Sequence, residues 1–225
     1  MTIEFRNIYL NFQNKTVLDN ISFIFSEKRV GIIGDNGSGK SSLVRLINGL
    51  IKPTSGSVLV NECDLKQFGS KIHSVIGFLF QNPDNQIIMP TVEEDIALGL
   101  KPLGLKQGDI NQRVEAILQY FEIGHLAKSS AHTLSGGEKQ LVALAGVMIN
   151  SPDILICDEP TTLLDRGNAK KVIGYLQNLP CQVILVTHEF SHLSEFDRVV
   201  AIGHGKIIMD GGASDVVTSY LERFN

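Results

Sequence analysis

Cysteine is scarce, at positions 63, 157 and 181 only; lysine and arginine form no cluster; and no apolar run is long enough to cross a bilayer. Each absence excludes something. Cys63, Cys157 and Cys181 are odd in number and widely spaced, so they read as reduced thiols, with neither a disulfide framework nor metal-ligand spacing. A formal net charge of −4 without a basic stripe argues against duplex nucleic acid as the main partner. The longest apolar stretch, ending at Ile149, falls far below the roughly 18–20 residues of a membrane-spanning helix, so a membrane role is expected to come through a partner. Met1-Thr-Ile-Glu-Phe-Arg also lacks the charged-then-apolar layout of a secretion signal.

What is present suits a compact globule: 225 residues, 43% hydrophobic and 20% charged, expected to form a single domain without internal repeats. Ile3 to Asn7 and Val17 to Phe25 read as strands joined by a polar turn at Gln13-Asn14-Lys15. Arg29 to Gly34 is a buried strand entering a glycine-rich turn. Leu43, Leu46, Ile47 and Leu50 then predict an amphipathic helix over 40–50. Ser57 to Val60 and Ser74 to Phe80 are further strands. From Thr91 to His132 the β-branched runs stop, and Val114, Ile117, Leu118 and Phe121 share one helical face. A helical subdomain over about 85–150 is therefore expected inside a sheet-based core. Strands at 154–157 and 183–187 then alternate with helices after Ser135 and over 168–179, followed by strands at 199–202 and 207–209 and a tail helix. Buried strands alternating with helices imply an α/β fold with a largely parallel sheet.

Gly34-Asp35-Asn36-Gly37-Ser38-Gly39-Lys40-Ser41 fits G-x-x-x-x-G-K-[ST] between a strand and a helix. Such a loop wraps phosphates with backbone N–H groups at a helix N-terminus, Lys40 neutralises the outer phosphates, and Ser41 offers its hydroxyl to Mg²⁺. Ser42 continues the same turn. Asp158-Glu159 ends the strand 154–157, and two adjacent carboxylates there need a cation to offset repulsion and desolvation. A magnesium ion held by phosphates would supply it, with Asp158 as the metal's support and Glu159 polarising the attacking water. His188 follows the strand 183–187 and is expected at the same carboxyl edge, contacting the γ-phosphate.

Leu134-Ser135-Gly136-Gly137-Glu138, with the motifs above, resembles the signature of ATP-binding cassette (ABC) ATPases, usually L-S-G-G-Q; Glu138 departs at the fifth position. The resemblance covers essentially the whole chain, and the motifs occur in family order. It implies a P-loop NTPase of ABC type: a RecA-like core, an N-terminal antiparallel β part and an inserted helical subdomain. It assigns Phe12 to adenine stacking, Gln81 to Mg²⁺ and γ-phosphate sensing, Thr162 to Asp165 to the D-loop, and His188 to the switch histidine. Ser135, Gly136 and Gly137 would complete an ATP site in trans, in a head-to-tail homodimer or a heterodimer. Catalysis would rest on Glu159, His188, Gln81 and Lys40; the metal on Ser41, Gln81 and Asp158; the nucleotide on Phe12, residues 34–42 and 135–137.

Phe80-Gln-Asn-Pro-Asp-Asn-Gln86 is similar to the segment found in ATPases of energy-coupling factor (ECF) importers of vitamins and transition-metal ions. That likeness implies two membrane partners, a transmembrane coupling subunit and a small substrate-binding protein, at the cytoplasmic face of a prokaryotic inner membrane. The short tail after the last helix favours the dedicated type working as a homodimer, and within that type Leu134 to Gly146 and Glu159 to Asp165 resemble the biotin-transporter ATPases most, with cobalt and nickel systems as the alternative. A soluble ABC ATPase, such as one serving iron–sulfur assembly, is the rival of a different class. A P-loop kinase would leave Ser135-Gly-Gly unexplained.

Overall fold

The computed structural model describes residues 1–13 and 15–224. Asn14, part of the expected polar turn, lies outside the described residues. Strand β1 (Ile3–Phe12) pairs antiparallel with β2 (Lys15–Phe25). β1 continues well past Asn7 because that residue takes φ +48° and absorbs a bulge, after which pairing resumes at Ile8. β3 (Arg29–Ile33) leads through the glycine-rich loop into α1 (Lys40–Ile47). The helix stops short of residue 50: Asn48 caps it and Gly49 follows at φ +74°.

β4 (Ser55–Val60) pairs with β1, and the short β5 (Cys63–Asp64) pairs with β4, giving an antiparallel sheet ordered β2-β1-β4-β5. Two one-turn helices follow, α2 (Leu65–Phe68) and α3 (Ile72–Val75), before β6 (Ile76–Leu79). The expected strand over 74–80 is therefore shorter. Ser74 and Val75 are helical because Ile72 and Val75 turn into the core beneath the antiparallel sheet. A short apolar run does not distinguish these states by itself.

Between β6 and β7 (Ile154–Asp158) lie three longer helices: α4 (Val92–Leu98), α5 (Gln107–Tyr120) and α6 (Gly136–Met148). α7 (Arg166–Asn178), β8 (Gln182–Val186), β9 (Arg198–Gly203), β10 (Lys206–Gly212) and α8 (Ala213–Phe224) complete the chain. α7 starts two residues before the expected Asn168 because the Asp165 carboxylate accepts from the N–H groups of Gly167 and Asn168.

The main sheet is ordered β10-β9-β3-β8-β7-β6, parallel except for the β9–β10 hairpin. Alternation along its strands builds two cores. Ile154 and Ile156 face the antiparallel sheet and α1, whereas Leu155 and Cys157 face the helices. On the helical side Val114, Leu118 and Phe121 pack as their shared face requires.

One buried cation holds the two ends of this layering together. The Arg29 guanidinium, 5% exposed, donates to the carbonyls of Gln177 (3.1 and 2.8 Å), Cys181 (2.8 Å), Lys28 (3.0 Å) and Leu179. It thereby satisfies carbonyl groups at the end of α7 that no N–H reaches. Arg29→Leu leaves them unpaired, and we expect a loss of about 2–4 kcal/mol and a Tm lower by roughly 4–12 °C, read by thermal unfolding without nucleotide. An unchanged Tm would show that water replaces the guanidinium.

Candidate active site

Three adjacent strands, β3, β8 and β7, end at the same edge of the sheet, and each delivers one motif there. Ligands gather at such carboxyl edges because loops and helix N-termini converge on them. The loop after β3 could not be built without glycine. Gly34 sits at φ +143°, and a Cβ on it would stand 2.1 Å from the Ile202 carbonyl. α1 begins with Gly39 as its N-cap and no side-chain cap, so its first N–H groups are left for an anion. The Ser38 hydroxyl is buried in the same loop with no hydrogen-bond partner. Both observations fit a phosphate cradle. Lys40 is 5% exposed, and Nζ donates to the Gly34 (2.8 Å) and Asp35 (3.0 Å) carbonyls. Burial holds its pKa below the ordinary lysine value, with Glu159 and Asp158 opposing.

Asp158 is buried at the end of β7, and desolvation raises its pKa above the usual carboxylate range. Its Oδ1 accepts from the Ser41 hydroxyl at 2.8 Å, and its Oδ2 lies 3.3 Å from Arg45 Nη2. Glu159 takes a left-handed backbone (φ +52°), a conformation costing about 1 kcal/mol or more for a non-glycine residue. That turn carries its carboxylate between three groups: Lys40 Nζ at 4.0 Å, His188 Nδ1 at 3.5 Å and the donating Thr162 hydroxyl at 3.2 Å. The cleft formed here is lined by Gly34, Ser41, Gln81, Glu159, His188 and Tyr220, among others.

Ser41 Oγ and Asp158 Oδ1 are adjacent hard oxygens, the donor type that Mg²⁺ takes, and Gln81 reaches the same cleft. Among the described residues no group of three or more His, Cys, Asp or Glu side chains could hold a metal alone.

Other expected residues lie elsewhere. Phe12 is 51% exposed at the end of β1 and does not line the cleft. Ser135, Gly136 and Gly137 begin α6, and none of them lines it either. Gly137 allows a close approach: a Cβ there would meet the Asn168 side chain at 2.3 Å, and Asn168 is held by Asp165 at 2.7 Å. Glu138 is more than a variant letter. Its Oε2 accepts from the Ser135 hydroxyl (2.6 Å) and backbone N–H (2.8 Å), a capping box, and the Ser135 hydroxyl bond is the largest of the effects lowering its pKa. The segment after β6 is clamped to α6. The Phe80 N–H donates to Gln86 Oε1 (3.3 Å), its carbonyl accepts from Gln140 Nε2 (3.4 Å), and Lys139 pairs with Asp84 (2.7 Å).

Arg45, Gln140 and Tyr220 are site neighbours that sequence reasoning passed over. For Arg45 a signal existed, since it lies one helical turn past Ser41 on α1. The others depend on contacts across the fold.

Residues 18–162 match the ABC transporter family. This chain belongs to that family. The ABC transporter subunit binds and hydrolyses ATP. It is 42% identical over 222 residues to the biotin transport ATP-binding protein of Rhizobium etli, covering 99% of each chain. It is also 39% identical over 207 residues to an energy-coupling factor transporter ATP-binding protein of Caldanaerobacter subterraneus, covering 89% of this chain and 75% of that one. The structure of CbiO1 from Clostridium perfringens, part of an ABC transporter complex, matches with a TM-score of 0.87 at 30% identity, over 97% of this chain and 91% of that one. No helix of the described residues is long and apolar enough to cross a membrane.

Proposed function

We propose that this ABC ATPase subunit energises an ECF-type importer, with biotin as the favoured cargo over another vitamin or a transition-metal cation. The full-length likeness to the Rhizobium biotin transport protein at 42% identity carries this reading. It works at the cytoplasmic face of a prokaryotic inner membrane, bound to a transmembrane coupling subunit and a small substrate-binding protein. The segment after Phe80, fastened to α6 and followed by Ile88 at 69% exposure, supports a protein contact there.

Two cassettes close head to tail. Leu163, 62% exposed beside Thr162, supports a contact with a second chain there. Residues 34–42 hold the triphosphate, Lys40 binds its outer phosphates, and the partner's signature closes over it. Bound Mg²⁺, held by Ser41, Asp158 and Gln81, would neutralise phosphate charge and polarise the terminal phosphoryl group. Glu159 orients the attacking water and takes its proton, while His188 and Thr162 hold the Glu159 carboxylate in place. Phe12 stacks on adenine. Because Phe12 is exposed, its substitution tests binding with little effect on folding. Phe12→Ala should weaken ATP binding about three- to tenfold and Phe12→Tyr hardly at all, measured by calorimetric titration. Equal losses would remove the stacking role.

The importer reading is tested by tagging the chain in its native host and identifying what co-purifies from solubilised membranes. A polytopic membrane subunit with a small binding protein supports it, and the ligand carried by that protein names the cargo. Recovery of soluble partners alone would sink the importer and leave an assembly-type ATPase.

A further inference from the structure

The last helix reaches back to the phosphate loop. Tyr220 on α8 is buried at 6% exposure, and its hydroxyl donates to Asp35 Oδ1 at 3.0 Å, across 185 residues of sequence. Its ring lies 5.7 Å from that of Phe190, inclined at 55°, two residues after His188. Tyr220 also belongs to the core formed by α8 with Ala213 and Val216, so the hydroxyl has a defined place. Asp35 itself is exposed at the mouth of the cradle, and its backbone carbonyl, not its carboxylate, receives Lys40.

A carboxylate at the second position of a phosphate-binding loop is a like charge beside a triphosphate, and repulsion at short range is unfavourable. We propose that Tyr220 is a positioning residue for ATP: its hydroxyl draws the Asp35 carboxylate onto α8 and keeps that charge from turning toward the phosphates. This rests on the reading that residues 34–41 cradle the triphosphate. Burial first, and then Asp35, push the Tyr220 phenol up to about 12, so it remains a donor throughout the working pH range. Both residues line the cleft that holds Ser41, Glu159 and His188, so a shift of either is felt there.

Tyr220→Phe keeps the ring and removes only the donor. The KM for ATP should rise about five- to tenfold with kcat unchanged, because the released Asp35 carboxylate can then turn toward the phosphates. The Kd of ADP, with less charge, should rise less. Adding Asp35→Asn to Tyr220→Phe should restore ATP affinity, because the charge that needed holding is gone. Unaltered ATP affinity in Tyr220→Phe would overturn the proposal. So would equal losses for ATP and ADP that Asp35→Asn does not rescue, which would leave Tyr220 a packing residue. Failure of the unsubstituted chain to bind ATP through Lys40 would instead sink the cradle reading beneath it.

Discussion

Glu159→Gln is expected to bind ATP with nearly unchanged affinity and to turn it over at least about a hundredfold more slowly, the lower end of what a positioned general base contributes. The amide is isosteric with the carboxylate and can still accept from Thr162, 3.2 Å away. It cannot take a proton from water. Substitution also removes the negative charge 4.0 Å from Lys40, which should leave affinity for a polyanion intact or improved. With hydrolysis stopped, ATP should hold two chains together, so gel filtration should show an ATP-dependent dimer alongside the lost turnover. Unchanged turnover would remove Glu159 as the base. Loss of ATP binding would show instead that its strained turn at φ +52° supports the cradle itself.

Lys40→Ala should cost about 2–5 kcal/mol of ATP affinity, a factor of roughly thirty to several thousand. The ammonium is nearly buried and already stands against two loop carbonyls, so little reorganisation is needed when phosphate arrives. Lys40→Arg should not restore binding, because a planar fork does not fit a socket built around a compact point charge. Direct measurement of the ATP dissociation constant in each variant tests this. Tight binding by Lys40→Ala would count against the phosphate cradle and leave the glycine-rich loop a mere turn.

The Glu138 substitution shows how a motif letter and its geometry differ. From sequence, Glu138 is only a departure from the usual glutamine at the fifth position. In the structure the carboxylate takes both the hydroxyl and the N–H of Ser135. A γ-phosphate arriving from a partner chain would therefore meet a hydroxyl already engaged and a negative charge behind it. Glu138→Gln would retain a capping acceptor without that charge.

Much of the fold was legible because its elements are encoded locally. Strands such as β7 begin as continuous apolar runs, here 154–157, and α5 shows its buried face in Val114 and Leu118. Ends were less legible. α1 stops at Asn48-Gly49 through a left-handed turn, and β1 passes Asn7 through a bulge, both set by single backbone angles. Residues 72–75 fold as a helical turn because of what lies beneath them.

By itself the sequence determined the phosphate loop, the Asp158-Glu159 pair, the signature and the family they belong to, because each motif is a short segment whose backbone makes its own chemistry. Only the tertiary structure decided which groups meet. Ser41 finds Asp158 across 117 residues, Arg29 finds the end of α7, and Tyr220 finds Asp35 across 185. Those meetings follow from the strand order β3-β8-β7 and from α8 folding back on β9 and β10. They are fixed by burial over the whole chain, which no local pattern of residues records.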